Sequence, residues 1–139
     1  MMIEKLEGGT RMKGDVKKTL PKKPLISIIT IVYNGDKYLE CTINSVINQK
    51  YDNIEYIIID GGSKDNSIKI MQKYNDKISY WISEPDNGIY DAWNKGLAQS
   101  NGDIIGILNA DDWYNDNIFE DIVNKFLEVN EYFIYFGNM

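Results

Sequence analysis

The stretch most able to do chemistry is IIGILNADD at 104–112, an apolar run that ends in two adjacent carboxylates. Asp111 and Asp112 repel each other unless something cationic sits beside them. A hard divalent cation, Mg²⁺ or Mn²⁺, takes oxygen ligands of this kind and commonly carries substrate phosphates. The pair therefore points to phosphate or nucleotide chemistry. The plainer alternative is a solvated N-cap for a helix starting near Asn115, with both charges favoured by its dipole.

Three more polar clusters interrupt apolar runs. Asp60 ends one such run and is followed by Gly61, Gly62 and Ser63. A carboxylate there can accept hydrogen bonds from a base or ribose, or close an Asx-turn between strand and helix. The segment EPDNGIYDAWNKG at 84–96 gathers acids, amides and Lys95 around a turn and a helix start. Asp91 and Asn94 share a helix face, and Asp91 is four residues from Lys95, so it either enters a cleft or forms a surface ion pair. Trp93 reads as core in the second case. Tyr33, after the first long apolar run, offers a ring that packs on a nucleobase or plugs the sheet edge. Neither G-x-G-x-x-G nor G-x-x-x-x-G-K-[ST] occurs, which excludes a Rossmann fingerprint and a P-loop.

The elements that must position these residues alternate between short apolar runs and helical periods, the pattern of an α/β sheet. Strands are expected over 26–32, buried on both faces, and over 54–59, 78–82, 104–108 and 132–136. Helices are expected from Asp36 with Leu39, Ile43, Val46 and Ile47 on one face, from Asp65, over 89–98 and over 118–129. In an open sheet of this kind ligands bind beyond the carboxyl ends of the strands, which is where all four polar clusters fall.

Composition narrows the chemistry. The 139 residues include no histidine and one cysteine, Cys41. Ser-His-Asp and Cys-His machinery, disulfides and His or Cys zinc sites are thereby excluded. Cys41 falls in a helical pattern and is expected as a small buried hydrophobe. Residues 1–24 carry +4, and 25–139 carry -10. So acidic a domain, with no basic stripe, is no nucleic-acid binder. The basic residues 1–24 are expected as a mobile extension, compatible with contact to an anionic membrane surface. No apolar run has transmembrane length and no signal peptide is evident, so the expected compartment is cytoplasmic.

Taken together, IITIVYN at 28–34, IIDGGSKD at 58–65, the 84–96 segment and LNADD at 108–112 resemble family 2 inverting glycosyltransferases of the GT-A type. The likeness covers 25–139 and is strongest to the bacterial branch that builds surface polysaccharide and O-antigen units. It implies an α/β GT-A fold, a Rossmann-like mainly parallel sheet flanked by helices, here truncated on its C-terminal side. It also implies a nucleotide-diphosphate-sugar donor, most often a UDP-sugar, held with Mn²⁺ or Mg²⁺. Tyr33 and Asp60 would lie by the base and Asp91 near sugar or ribose. Asp111 would contact ribose or sugar, and Asp112, with Asp111, the metal. Many relatives carry Asp-Asp where this chain has Asp60 and Gly61, so the base contact would fall to Asp60. The acceptor, a saccharide or lipid-linked glycan at the inner face of the membrane, and the carboxylate base would be served by a segment beyond Met139.

Two other readings compete. One is a donor-binding fragment without turnover. The other is a Mg²⁺-binding receiver-like regulatory domain, whose acid pair should follow the first strand, where this chain has Tyr33 and Asn34. Apolar surface near the C-terminus would favour a homodimer.

Overall fold

The computed structural model describes residues 4–129, 131 and 134. In chain order the elements are β1 (Leu6–Gly8), a turn of 3-10 helix (Thr10–Lys13), β2 (Ile26–Val32), α1 (Asp36–Ile47), β3 (Ile54–Asp60), α2 (Ser67–Lys73), β4 (Tyr80–Ser83), α3 (Ile89–Gln99), β5 (Ile104–Asn109) and α4 (Ile118–Glu128). The strands form one sheet in the order β1-β4-β3-β2-β5. All neighbours are parallel except β1, which runs antiparallel to β4.

Alternation along the strands builds two apolar layers. Ile26, Ile28 and Val32 of β2, with Tyr56 and Ile58 of β3, pack against α1, α2 and α4 through Leu39, Ile43, Met71, Phe119 and Val123. Ile29, Ile31, Ile57 and Ile59 face the other way, onto Ala92 and Trp93 of α3. A parallel strand crossover is right-handed, so its helix changes face when the sheet grows in the opposite direction. The chain lays down β2, β3 and β4 one way, then returns past them to place β5 beside β2. That reversal puts α3, among the α-helices of the described residues, alone on its face. It also creates the switch point at the carboxyl ends of β2 and β5.

Several expectations are corrected. Residues 4–24 are not a loose extension: Leu6 packs on the core, and Thr10 and Arg11 donate backbone hydrogen bonds to Ile78 and Ser79. The Tyr80 hydroxyl donates to Glu7 at 2.7 Å. A three-residue strand is too short for periodicity to reveal, and the lysines of the surrounding segment mask it. Cys41 is exposed, because it lies on the outward face of α1 while Leu39, Ile43 and Val46 point inward. The fourth strand begins at Tyr80 rather than 78, since the turn after α2 uses Ile78 and its N–H to close on Tyr74. The strand expected over 132–136 lies, residue 134 apart, outside the described residues. No helix among the described residues is long and apolar enough to cross a membrane.

Candidate donor-binding cleft

Register brings the strand ends level. Val32 pairs with Asp60, Ile31 with Asn109, and Asp60 with Ser83. Beyond them opens a cleft of about 900 Å³ lined by residues 31–35, Lys37, Tyr38, Gly61, Pro85, Asp86, Gly88, Ile89, Ala92, Asn109, Ala110 and Asp111. It lies at the switch point. Of the residues expected at a donor site, Tyr33 and Asp111 line it directly; Tyr33 is 69% exposed, free to lie against a flat ligand.

The loop after β2 and the loop after β3 are stitched together. Asn34, left-handed at φ 49°, donates its backbone N–H to Ser63 Oγ at 2.7 Å, and its side-chain oxygen accepts from the Lys64 N–H at 2.8 Å. The Gly35 N–H donates to Ser67 Oγ at 3.2 Å, and the Asp36 N–H to Asp65 at 3.0 Å. Asp65 in turn accepts from the Ser67 N–H at 2.9 Å, which fixes the start of α2. These bonds hold Tyr33 and the first turn of α1 in place.

Asp60 is the brace beneath this floor. It is wholly buried. Its Oδ2 accepts from the N–H groups of Gly62 and Ser63 at 3.1 and 2.9 Å and from Ser83 Oγ at 2.7 Å, while Oδ1 accepts from Ser63 Oγ at 2.5 Å. Its carboxylate points into the turn, and the cleft wall at this place is formed by Gly61 and Asp86. Ser63, Ser83 and Asp86 were not singled out from sequence; the serines could have been, since a buried carboxylate needs donors.

Asp91 lies in the first turn of α3, just outside the lining. Its Oδ2 accepts from the Asn87 N–H at 2.9 Å and sits 3.5 Å from Lys95 Nζ, which also pairs with Glu84 at 3.3 Å. The Asn87 hydrogen bond, helped by the nearby Lys95 ammonium, outweighs the opposing effect of burial and holds the Asp91 carboxyl below the usual range. Trp93, expected as core, is half-buried and packs edge-on to Tyr90 at 5.7 Å.

The acid pair follows β5 on a turn tied to α1. Thr42, wholly buried, places its hydroxyl 2.9 Å from the Ala110 carbonyl and 2.7 Å from that of Asp112. Asp111 and Asp112 are both exposed. The helix that follows begins at Ile118, with Asn117 before it in the left-handed region, so neither acid caps it. Asn109 donates from Nδ2 to Asp112 at 3.3 Å, and its Oδ1 is buried without a partner among the described residues. Burial, with the Asp112 charge nearby, pushes the Tyr114 phenol up to about 12. Asp111, Asp112 and the Asn109 amide offer only oxygen donors, the chemistry that suits Mg²⁺ or Mn²⁺. Among the described residues no cluster of three or more His, Cys, Asp or Glu could hold a metal by itself. Two carboxylates thus need a ligand's own oxygens to complete a shell, as Mg²⁺ sites on phosphates generally do.

Comparison with known proteins places this arrangement. The model of the family described as Glycosyl transferase family 2 matches residues 27–137. An uncharacterized glycosyltransferase of Mycobacterium tuberculosis is 41% identical over 93 residues, 66% of this chain and 36% of the relative. One of Rickettsia typhi is 39% identical over 117 residues, 82% of this chain and 36% of the relative. Staphylococcus aureus TarS 1–349, solved in complex with UDP-GlcNAc, superposes with a TM-score of 0.69 at 25% identity, over 75% of this chain and 31% of that one. The mannosyltransferase PcManGT from Pyrobaculum calidifontis, solved with GDP-Man and Mn²⁺, shares the fold with a TM-score of 0.65 at 21% identity, over 83% and 36%. The chain spans about a third of the length of these relatives. Its α/β, mainly parallel sheet is the expected GT-A-type fold, and the chain belongs to glycosyl transferase family 2.

Proposed function

We propose that the cleft binds a nucleotide-diphosphate-sugar, of UDP-sugar type, together with Mn²⁺ or Mg²⁺, as the donor half of a sugar transfer. The observation that carries this reading is that Tyr33 and Asp111, the first of the exposed acid pair, line one cleft at the switch point of a parallel sheet, with Asp112 next in the chain just outside the lining. The UDP-GlcNAc bound in TarS supports the donor class. Tyr33 packs on the base, and Asp60 acts from below by fixing the 61–63 turn. Asp91 orders the first turn of α3 near the ribose or sugar. Lys37, the basic side chain of the lining, and the first turn of α1 face the diphosphate. Asp111 and Asp112 hold the cation, with Asp111 also reaching ribose or sugar. When bound, the cation neutralises charge on the departing diphosphate.

In the transfer an acceptor oxygen forms its bond to the anomeric carbon from the face opposite the diphosphate, as the bond from that carbon to phosphate oxygen breaks. The configuration inverts, and the acceptor proton passes to a base to which no residue of this chain is assigned. The acceptor is a glycan or lipid-linked saccharide of surface polysaccharide synthesis, met on the cytoplasmic side. A receiver-like role falls with the family assignment.

Calorimetric titration of UDP with and without Mn²⁺, beside Asp112→Ala, tests the site. The expected result is Mn²⁺-dependent binding weakened about tenfold or more in the variant. Binding indifferent to Mn²⁺ and to Asp112 overturns the metal role; no binding by the folded protein overturns the donor site.

A further inference from the structure

Gly61 and Asp86 come from different loops and share one space. A Cβ on Gly61 would lie 2.7 Å from Asp86 Oδ2, 3.2 Å from its Cγ and 3.3 Å from Oδ1. The carboxylate therefore lies directly over the glycine, where any side chain at 61 would displace it. Asp86 is fixed there by the Gly88 N–H, which donates to Oδ1 at 3.0 Å. Oδ2 has no hydrogen-bond partner among the described residues, and the side chain lines the cleft. The Gly61 N–H donates to the Val32 carbonyl at 2.9 Å, which brings this carboxylate to the part of the cleft that holds Tyr33.

The cleft thus has an acid at each side of β2: Asp111 after β5, and Asp86 over the end of β3. A dinegative diphosphate cannot sit against both. With the cation and phosphates at Asp111 and Asp112, the base lies toward Tyr33 and Gly61, and meets the Asp86 carboxylate, whose oxygens accept hydrogen bonds. Resting on the donor reading above, we propose that Asp86 sets the nucleobase class by accepting a hydrogen bond from a ring N–H. Uracil and guanine carry that donor on their Watson–Crick edge. Cytosine and adenine present a bare acceptor nitrogen there and are rejected, because two acceptors would face each other unpaired.

Titration of UDP, GDP, CDP and ADP in Mn²⁺ into the wild type, Asp86→Asn and Gly61→Ala tests this. UDP and GDP should bind the wild type about tenfold or more tightly than CDP and ADP. The amide of Asp86→Asn can donate or accept, so the UDP-to-CDP ratio should collapse toward one while Mn²⁺ dependence survives. Gly61→Ala, which adds only the Cβ that evicts Asp86, should collapse the same ratio with the fold intact by circular dichroism. An unchanged ratio in both variants, or equal binding of all four nucleotides by the wild type, overturns the role of Asp86 and leaves the donor site standing. Failure of every nucleotide to bind the folded wild type overturns both.

Discussion

Thr42 lines no cleft and carries no charge, yet its single hydroxyl proton is shared between the carbonyls of Ala110 and Asp112. It is the bolt between α1 and the turn that presents the acid pair. Thr42→Val keeps the shape and removes the donor, leaving two carbonyls short of a partner. Stability should fall by about 1–2 kcal/mol in chemical denaturation. Mn²⁺-dependent UDP binding should weaken about tenfold, as loss of an outer-shell support generally does, with any Mn²⁺-independent binding untouched. Equal metal dependence in wild type and variant would show that the turn holds itself. The same scale shows what sequence could and could not deliver. That Asp111 and Tyr33 line the cleft was legible because both follow long apolar strand runs, and a parallel sheet opens its cleft beyond the strand ends. Asp60 was ambiguous, since Gly-Gly-Ser after a carboxylate suits a ligand contact and a closed turn equally; only the placement of Ser63 and Ser83 decides. Asp86 was invisible because its position depends on a side chain that Gly61 lacks.

Among the elements, α3 is set closest to the sheet, and Gly96 is why. A Cβ there would come 2.4 Å from Ile29 Cγ2, and Ile29 is wholly buried in the central strand with nowhere to move. On propensity alone Gly96→Ala should stabilise an exposed helix by about 1 kcal/mol. Overpacking at a closed interface costs about 1–3 kcal/mol. The second effect should win: the variant should lose roughly 1 kcal/mol by urea denaturation, and a gain would mean that α3 rides higher on the sheet than described. Strands and helices with long, regular apolar periods were legible, β2 and α1 above all. Boundaries were less so where a polar residue decides them. Asp65 starts α2 by accepting the Ser67 N–H, and left-handed Asn117 delays α4 to Ile118, which strips the acid pair of the capping role that its sequence position allowed.

At the scale of the whole molecule the sheet is closed at one side by residues that charge alone marked as an extension. The decisive contact is between Arg11, the chain's only arginine, and Glu55, the lone acid inside the apolar run of β3. Arg11 Nη2 lies 2.7 Å from Glu55 Oε2, with side chains 14% and 1% exposed. The same nitrogen donates to the Gln99 carbonyl at 2.8 Å and so ties off the end of α3. Ser27 Oγ and the Asn101 N–H donate to the other carboxylate oxygen. A glutamate on a buried strand signals that a cation must reach it, and sequence held that clue without naming the donor. Removing the cation strands the charge, and a broken buried pair costs about 3–5 kcal/mol. Arg11→Met should lose that much in guanidinium denaturation. Adding Glu55→Gln should return a good part of it, because a neutral amide keeps its neighbours without needing a counterion. Deleting residues 1–24 should cost at least as much as Arg11→Met, since Leu6 and the β1 ladder go with it. A loss below about 1 kcal/mol in Arg11→Met, the level of an exposed ion pair, would return the N-terminal segment to the status of a solvated arm.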